Sequence, residues 1–291
     1  RLLGDPRMLP QAAASVLDSL RQIYFGDYKY FAYSAPAERR QQAIHDASLR
    51  AASGSALQRA AALALVLSVS LADADRQAEQ VLNDPDAPSS LRQDALQVRL
   101  LSQSRSGAQK LVAEALKGTD EGLQVVALRF LAEGPESMSA LQSGAFHLFY
   151  QNPAVQRHDV FHAGKVIRVK APAQLEPDVL RPLLDSPDPR TAALAGYVLA
   201  TLREADGLGP LVNYWREQAR DNYTIRRLVY RAVASLNDDS QTPLLEEIYR
   251  TYGRNDYWLR DFYWTIRSMS GINVVKLRKQ IRDEVGMDAL R

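Results

Sequence analysis

A spacing of 34 residues constrains this chain more than any other feature of its sequence. Val112, Phe146, Leu180, Tyr214 and Ile248 are successive steps of 34, as are Val126, Val160, Leu194, Leu228 and Phe262. Both columns are wholly apolar. A third, Ala127, Phe161, Ala195, Val229 and Tyr263, adjoins the second. With 46% apolar residues, a five-member column fills by accident about 2% of the time, so fewer than one column in the repeat should do so. One further column, Asp120, Ala154, Asp188, Asn222 and Asp256, places a polar capping residue just ahead of the second ladder in every copy but one. A repeat of this length with two amphipathic helices predicts an α-solenoid, in which each helix pair buries its face only against its neighbours.

The remaining composition fits that architecture and narrows the chemistry. The chain has 36 basic and 34 acidic residues and a formal net charge of +2, so no global field selects nucleic acid or an anionic membrane. Cysteine is absent, which removes disulfides, thiolate catalysis and thiolate metal ligands. The most apolar run, Ala60 to Leu71, is too short to span a bilayer and is interrupted by Ser68 and Ser70. The sequence opens on Arg1 without a visible signal peptide. Compartment therefore stays open between a soluble cytoplasmic chain and an exported one whose upstream segment has been removed.

Working back from the C-terminus, the second helix of each pair is predicted to start near Tyr257, Tyr223, Pro189, Val155, Glu121, Ser89 and Ser55. First helices fall near 242–252, 208–220, 176–184, 138–150, 107–117, 74–83 and 37–52. Gly207-Leu208-Gly209-Pro210 and Gly134-Pro135 mark breaks between pairs. The chain reads as one domain over 1–291: an N-terminal cap at 1–36, helix-pair repeats at 37–270, and a C-terminal capping helix within 271–291. That last helix, Val274 to Val285, carries a charged face of Lys276, Arg278, Lys279, Arg282, Asp283 and Glu284. Arg92, Arg226 and Arg260, each early in a second helix, are expected to pair with turn carboxylates of the same or the next repeat.

The string Leu183-Leu184-Asp185-Ser186-Pro187-Asp188-Pro189-Arg190, followed by Ala192-Ala193-Leu194-Ala195, resembles the HEAT and HEAT-like family of helical repeats. A second copy reads Val81-Leu82-Asn83-Asp84-Pro85-Asp86-Ala87-Pro88, then Leu91-Arg92 and Ala95-Leu96. The resemblance implies an all-α, right-handed α-α superhelix of about seven helix pairs with capped ends. Tetratricopeptide repeats share the period but keep small residues at the helix crossing, where this chain has Phe161, Tyr230 and Trp264.

The repeat over 138–170 departs furthest from the pattern. Its cap position is Ala154, and Gly164 stands where Phe130, Val198, Ala232 and Ile266 stand elsewhere; three of the four histidines lie there. Rule-breaking of this kind is where function is expected. His158 and His162 share one face if the segment is helical, but a zinc site needs further ligands, for which only His147 and Asp159 are at hand. No metal and no cofactor are expected. Arg157, His158, His162, Lys165 and Arg168 instead form a basic patch suited to a carboxylate-rich peptide or a phosphate. A second candidate surface is the aromatic run containing Tyr24, Tyr28 and Tyr30, and a third is the Tyr/Trp/Arg-rich stretch from Tyr249 to Arg267.

No nucleophile elbow or phosphate-binding glycine loop is present. The expectation is a non-catalytic scaffold or adaptor that binds a protein or peptide along the solenoid. The alternatives are nucleic-acid binding in an Arg/Tyr-lined groove and a non-catalytic domain of a larger enzyme.

Overall fold

The computed structural model describes residues 42, 45, 59, 63, 71–103, 105–133, 175–253 and 256–290, and every regular element among them is helical. The expected N-terminal cap, the irregular repeat at 138–170 and the Gly134-Pro135 break lie outside the described residues. Contacts divide the chain into two compact units, Arg1–Pro172 and Ala173–Arg291.

Among the described residues of the first unit, the helices with described bounds are α1 (Leu71–Leu82), α2 (Ser89–Ser102), α3 (Arg105–Lys117) and α4 (Glu121–Ala132). The carboxylate of Asp120 accepts the Leu123 N–H at 3.2 Å and so starts α4. Just inside that start, the Gln124 amide donates to the carbonyls of Leu116 and Gly118, closing the end of α3. Arg92 on α2 reaches Asp120 at 2.8 Å, and a methyl group added at Gly122 would meet the side chains of Ser89 and Gln93. The starts of α2 and α4 therefore lie together, and the two second helices run in the same direction. Asp84, in the α1–α2 turn, is held in a similar way by Arg59 at 3.2 Å.

The second unit opens with two 3-10 turns, Pro177–Val179 and Arg181–Asp185. An α-helix was expected there. Pro182 has no amide hydrogen and its ring would crowd the carbonyl four residues back in an α-helix, and the segment closes short bonds such as Leu180 N–H to the Pro177 carbonyl (2.9 Å) and Leu183 N–H to Leu180 (3.0 Å). Leu180 keeps its place in the apolar ladder and is fully buried. There follow α5 (Pro189–Thr201), a 3-10 turn (Ala205–Gly207), α6 (Leu208–Gln218), α7 (Tyr223–Leu236), a 3-10 turn (Asp239–Gln241), α8 (Thr242–Tyr252), α9 (Asp256–Ile266), α10 (Ile272–Val285) and a last turn (Asp288–Leu290).

Four second helices begin where the spacing places them, at Ser89, Glu121, Pro189 and Tyr223; α9 begins at Asp256, one residue earlier than expected. Asp188 accepts the N–H groups of Arg190 and Thr191, and Asn222 accepts that of Ile225. The described members of the two second-helix ladders, Val126, Ala127, Leu194, Ala195, Leu228, Val229, Phe262 and Tyr263, are all buried. Contacts between α7 and α9 climb in register: Tyr230 packs edge-on against Phe262 at 5.3 Å, and Asn237 hydrogen-bonds Ser270 at the far end. These neighbours thus run in the same direction one repeat apart.

Two close approaches set tolerances in this unit. Every residue of α5 from Thr191 to Ala200 is buried, and the helix meets the following turn backbone to backbone. A methyl group at Gly196 would strike the Gly207 carbonyl oxygen, and one at Gly207 would strike that of Gly196. At the other end, Gly271 precedes α10 with no capping side chain of its own. Asp239, from the previous repeat, supplies the cap by accepting the N–H groups of Asn273 and Val274, both at 3.0 Å. On α10, Val274, Leu277 and Ile281 are buried, while Lys276, Lys279, Arg282, Asp283 and Glu284 are exposed.

Gly196→Ala should lower stability by about 3 kcal/mol, because backbone on both sides leaves no flexible side chain to yield; thermal unfolding of the variant measures it. The Asn273 and Val274 amides hold the Asp239 carboxyl below the usual carboxylate range. Its contribution is therefore fully present above the unfolded-state value and is lost as pH falls through the lower folded-state value. Amide exchange at Asn273 and Val274 should accelerate over that acidic interval, and Asp239→Asn should remove the pH dependence.

Candidate binding surface

Arg157, His158, His162, Lys165 and Arg168, together with Tyr24, Tyr28 and Tyr30, lie outside the described residues. The C-terminal aromatic and arginine stretch is described except for Arg254 and the side chain of Tyr257, and its described residues divide into three groups. Tyr249, Trp258, Phe262 and Tyr263 are core. Arg250, Arg260, Trp264 and Arg267 are exposed. The third group surrounds Arg226.

Arg226 stands at the fourth position of α7 and was expected to meet a turn carboxylate, as Arg92 does at the equivalent position of α2. It meets rings instead. Its guanidinium carbon lies 3.8 Å from the Tyr252 ring centre, 5.3 Å from that of Trp258 and 5.5 Å from that of Tyr223. The box is itself tied down: the Trp258 indole donates to the Tyr252 carbonyl at 2.9 Å, and the Tyr252 hydroxyl donates to the Arg220 carbonyl at 2.6 Å. Ring faces attract a cation through their quadrupoles, by about 0.5–2 kcal/mol each. Arg226 is 8% exposed, and its Nε is buried without a hydrogen-bond partner.

One turn further along α7, a different arrangement holds charge inside the unit. Arg231 is 4% exposed, and one of its terminal nitrogens donates to both carboxylate oxygens of Asp261 on α9, at 2.9 and 3.1 Å. Tyr230 donates its hydroxyl to the same carboxylate. Burial pushes the Tyr230 phenol far above its ordinary value, and the Asp261 charge pushes it further. Burial alone would lower the Arg231 pKa, yet Asp261 holds it above the usual range. Near neutral pH Tyr230 therefore stays protonated and Arg231 charged, and their bonds to Asp261 act as an internal clamp between α7 and α9. Sequence reasoning missed it, although a signal existed: Arg231 lies three residues past the ladder residue Leu228, on the buried face, where a charge must be paired.

Trp264 is held at the surface on the opposite side of the α9 ladder. Its indole N–H donates to the Leu290 carbonyl at 2.8 Å, and Arg267 lies 4.6 Å from its ring centre. Trp264 is 44% exposed, and Met287 is equally so. Among the described residues no group of three or more His, Asp and Glu side chains is placed to hold a metal, and no helix is long and apolar enough to cross a membrane.

Asp261→Ala should cost about 4 kcal/mol, because it leaves the Arg231 charge buried and unpaired; Asp261→Asn, which keeps hydrogen-bonding oxygen, should cost less. Denaturant unfolding of the two variants ranks them. Comparison of the chain with protein-family models, curated proteins and solved structures found no match.

Proposed function

We propose that the chain is a HEAT-like repeat protein, one right-handed solenoid domain over 1–291, and that it serves as a non-catalytic scaffold or adaptor for a protein or peptide partner. The spacing of second-helix starts and the parallel stacking of α2 with α4 and of α7 with α9 support the repeat reading. Each helix pair then buries its face only against its neighbours, which leaves the faces turned away from those neighbours for contact.

The observation that carries the binding reading is Trp264. It is a large apolar side chain, nearly half exposed, yet fixed by a hydrogen bond and stacked with an arginine. A pre-ordered tryptophan loses little conformational freedom on association, and tryptophan with arginine makes up much of the energy of protein interfaces. The near-balanced charge of +2 favours a protein over a polyanion, whose affinity rests on phosphate neutralisation.

Crosslinking from a photoreactive residue placed beside Trp264 should trap a discrete partner from native extract, and Trp264→Ala should weaken recovery of that partner about tenfold or more. A monodisperse chain that traps nothing and turns over a small molecule overturns the reading.

A further inference from the structure

We infer that Arg226 is a carboxylate-binding site and that it takes an acidic side chain of the partner. The inference rests on the reading of the chain as a protein-binding scaffold, and it assigns one chemical contact within it.

The repeat supplies its own comparison. Arg92 and Arg226 occupy the same position, three residues after the first residue of their second helices, Ser89 and Tyr223. At α2 the guanidinium is closed by Asp120 at 2.8 Å. At α7 the neighbouring positions are aromatic, and the Arg226 side chain has no ion pair and no hydrogen bond among the described residues. Rings compensate a guanidinium from its faces only, whereas its N–H groups lie in its plane and call for oxygen acceptors. The Nε is buried without a partner in Arg92 and Arg226 alike, so the contrast between them lies at the terminal nitrogens, one of which meets Asp120 in Arg92. The two terminal nitrogens are neither hydrogen-bonded nor fully buried, so the outer edge of the guanidinium keeps a path to solvent.

That geometry is pre-ordered for recognition. Tyr252 and Trp258 hold the guanidinium plane in place, so a ligand meets a fixed fork and not a mobile side chain. Arg227 adds a second positive group beside Tyr223, 5.7 Å from that ring centre, and the start of α7 adds the positive end of a helix dipole. A carboxylate fits the fork bidentately. It would supply to Arg226 what Asp120 supplies to Arg92. Asp256 stands at the start of α9, with its side chain outside the described residues.

The test follows the Arg226 Nε–Hε signal of the full chain by nuclear magnetic resonance, assigned by its loss in Arg226→Lys. The probes are a short peptide of alternating glutamate and alanine, its glutamine counterpart, and inorganic phosphate. The glutamate peptide should shift the signal saturably, the glutamine peptide should not, and added salt should weaken the effect. Arg226→Met, matched for stack and bulk, should lower affinity for the glutamate peptide about tenfold or more. Asp256→Asn should leave that affinity unchanged or raise it.

A signal unmoved by the glutamate peptide overturns the proposal, as does one moved only by phosphate. Binding that appears only in Asp256→Asn also overturns it, since Arg226 would then serve an internal pair. If Arg226→Met does not fold, the wild-type titration decides. Partner capture at Trp264 with a silent Arg226 removes this site and leaves the scaffold reading. A responsive Arg226 in a chain that captures nothing leaves the site and removes the scaffold reading.

Discussion

A short helix with one apolar face cannot hold itself together in water, and this chain answers that constraint by laying second helices side by side in one direction. Everything else described follows from that stacking. The ladder residues Leu194, Leu228 and Phe262 are buried because each faces a neighbour one repeat away. The polar groups that stacking would strand are paired across the same interval: Arg92 with Asp120, Arg231 with Asp261, Asn237 with Ser270. Charge inside these units thus works as registration. It fixes how far one helix slides against the next, while the apolar ladder fixes only which face turns inward.

Much of this was legible in the sequence. The start of each described second helix fell on or within one residue of its expected position, and at α4, α5 and α7 two local signals coincide there: an Asp or Asn that accepts backbone N–H groups, and an apolar period that begins a few residues later; α2 starts after Pro88 with no side-chain cap. The segment at 176–184 was misread because leucine spacing satisfied the helical pattern while Pro182, inside it, denied the backbone an i→i+4 bond. Periodicity reports which side chains are inside; it says little about whether the backbone closes i→i+4 or i→i+3.

The binding surface was harder to read, for a physical reason. Arg92 and Arg226 look alike in sequence, each an arginine early in a second helix, and the same pairing was expected of both. What separates them is the far partner: Asp120 in one case, Tyr252 and Trp258 in the other. The stretch that holds those rings was read from sequence as a candidate surface, and that description does not capture a ring that is packed and also faces a cation. A third category, aromatic side chains that serve as walls for a charge, becomes visible only when side chains from α7, α8 and α9 are placed together.

The cap on α10 has a consequence for how this region comes apart. Asp239 belongs to the preceding repeat, yet it supplies the acceptors that the start of α10 lacks, and Gly271 is bare so that the carboxylate can reach. The last helix therefore has no self-sufficient beginning. Its first turn exists only while residues more than thirty positions upstream stay folded, so loss of order at the Asp239 turn should propagate outward to the end of the chain. Fraying of α10 alone leaves that turn its own bonds to Thr242. The coupling has a direction, and it makes the closing helix a reporter on the repeat before it.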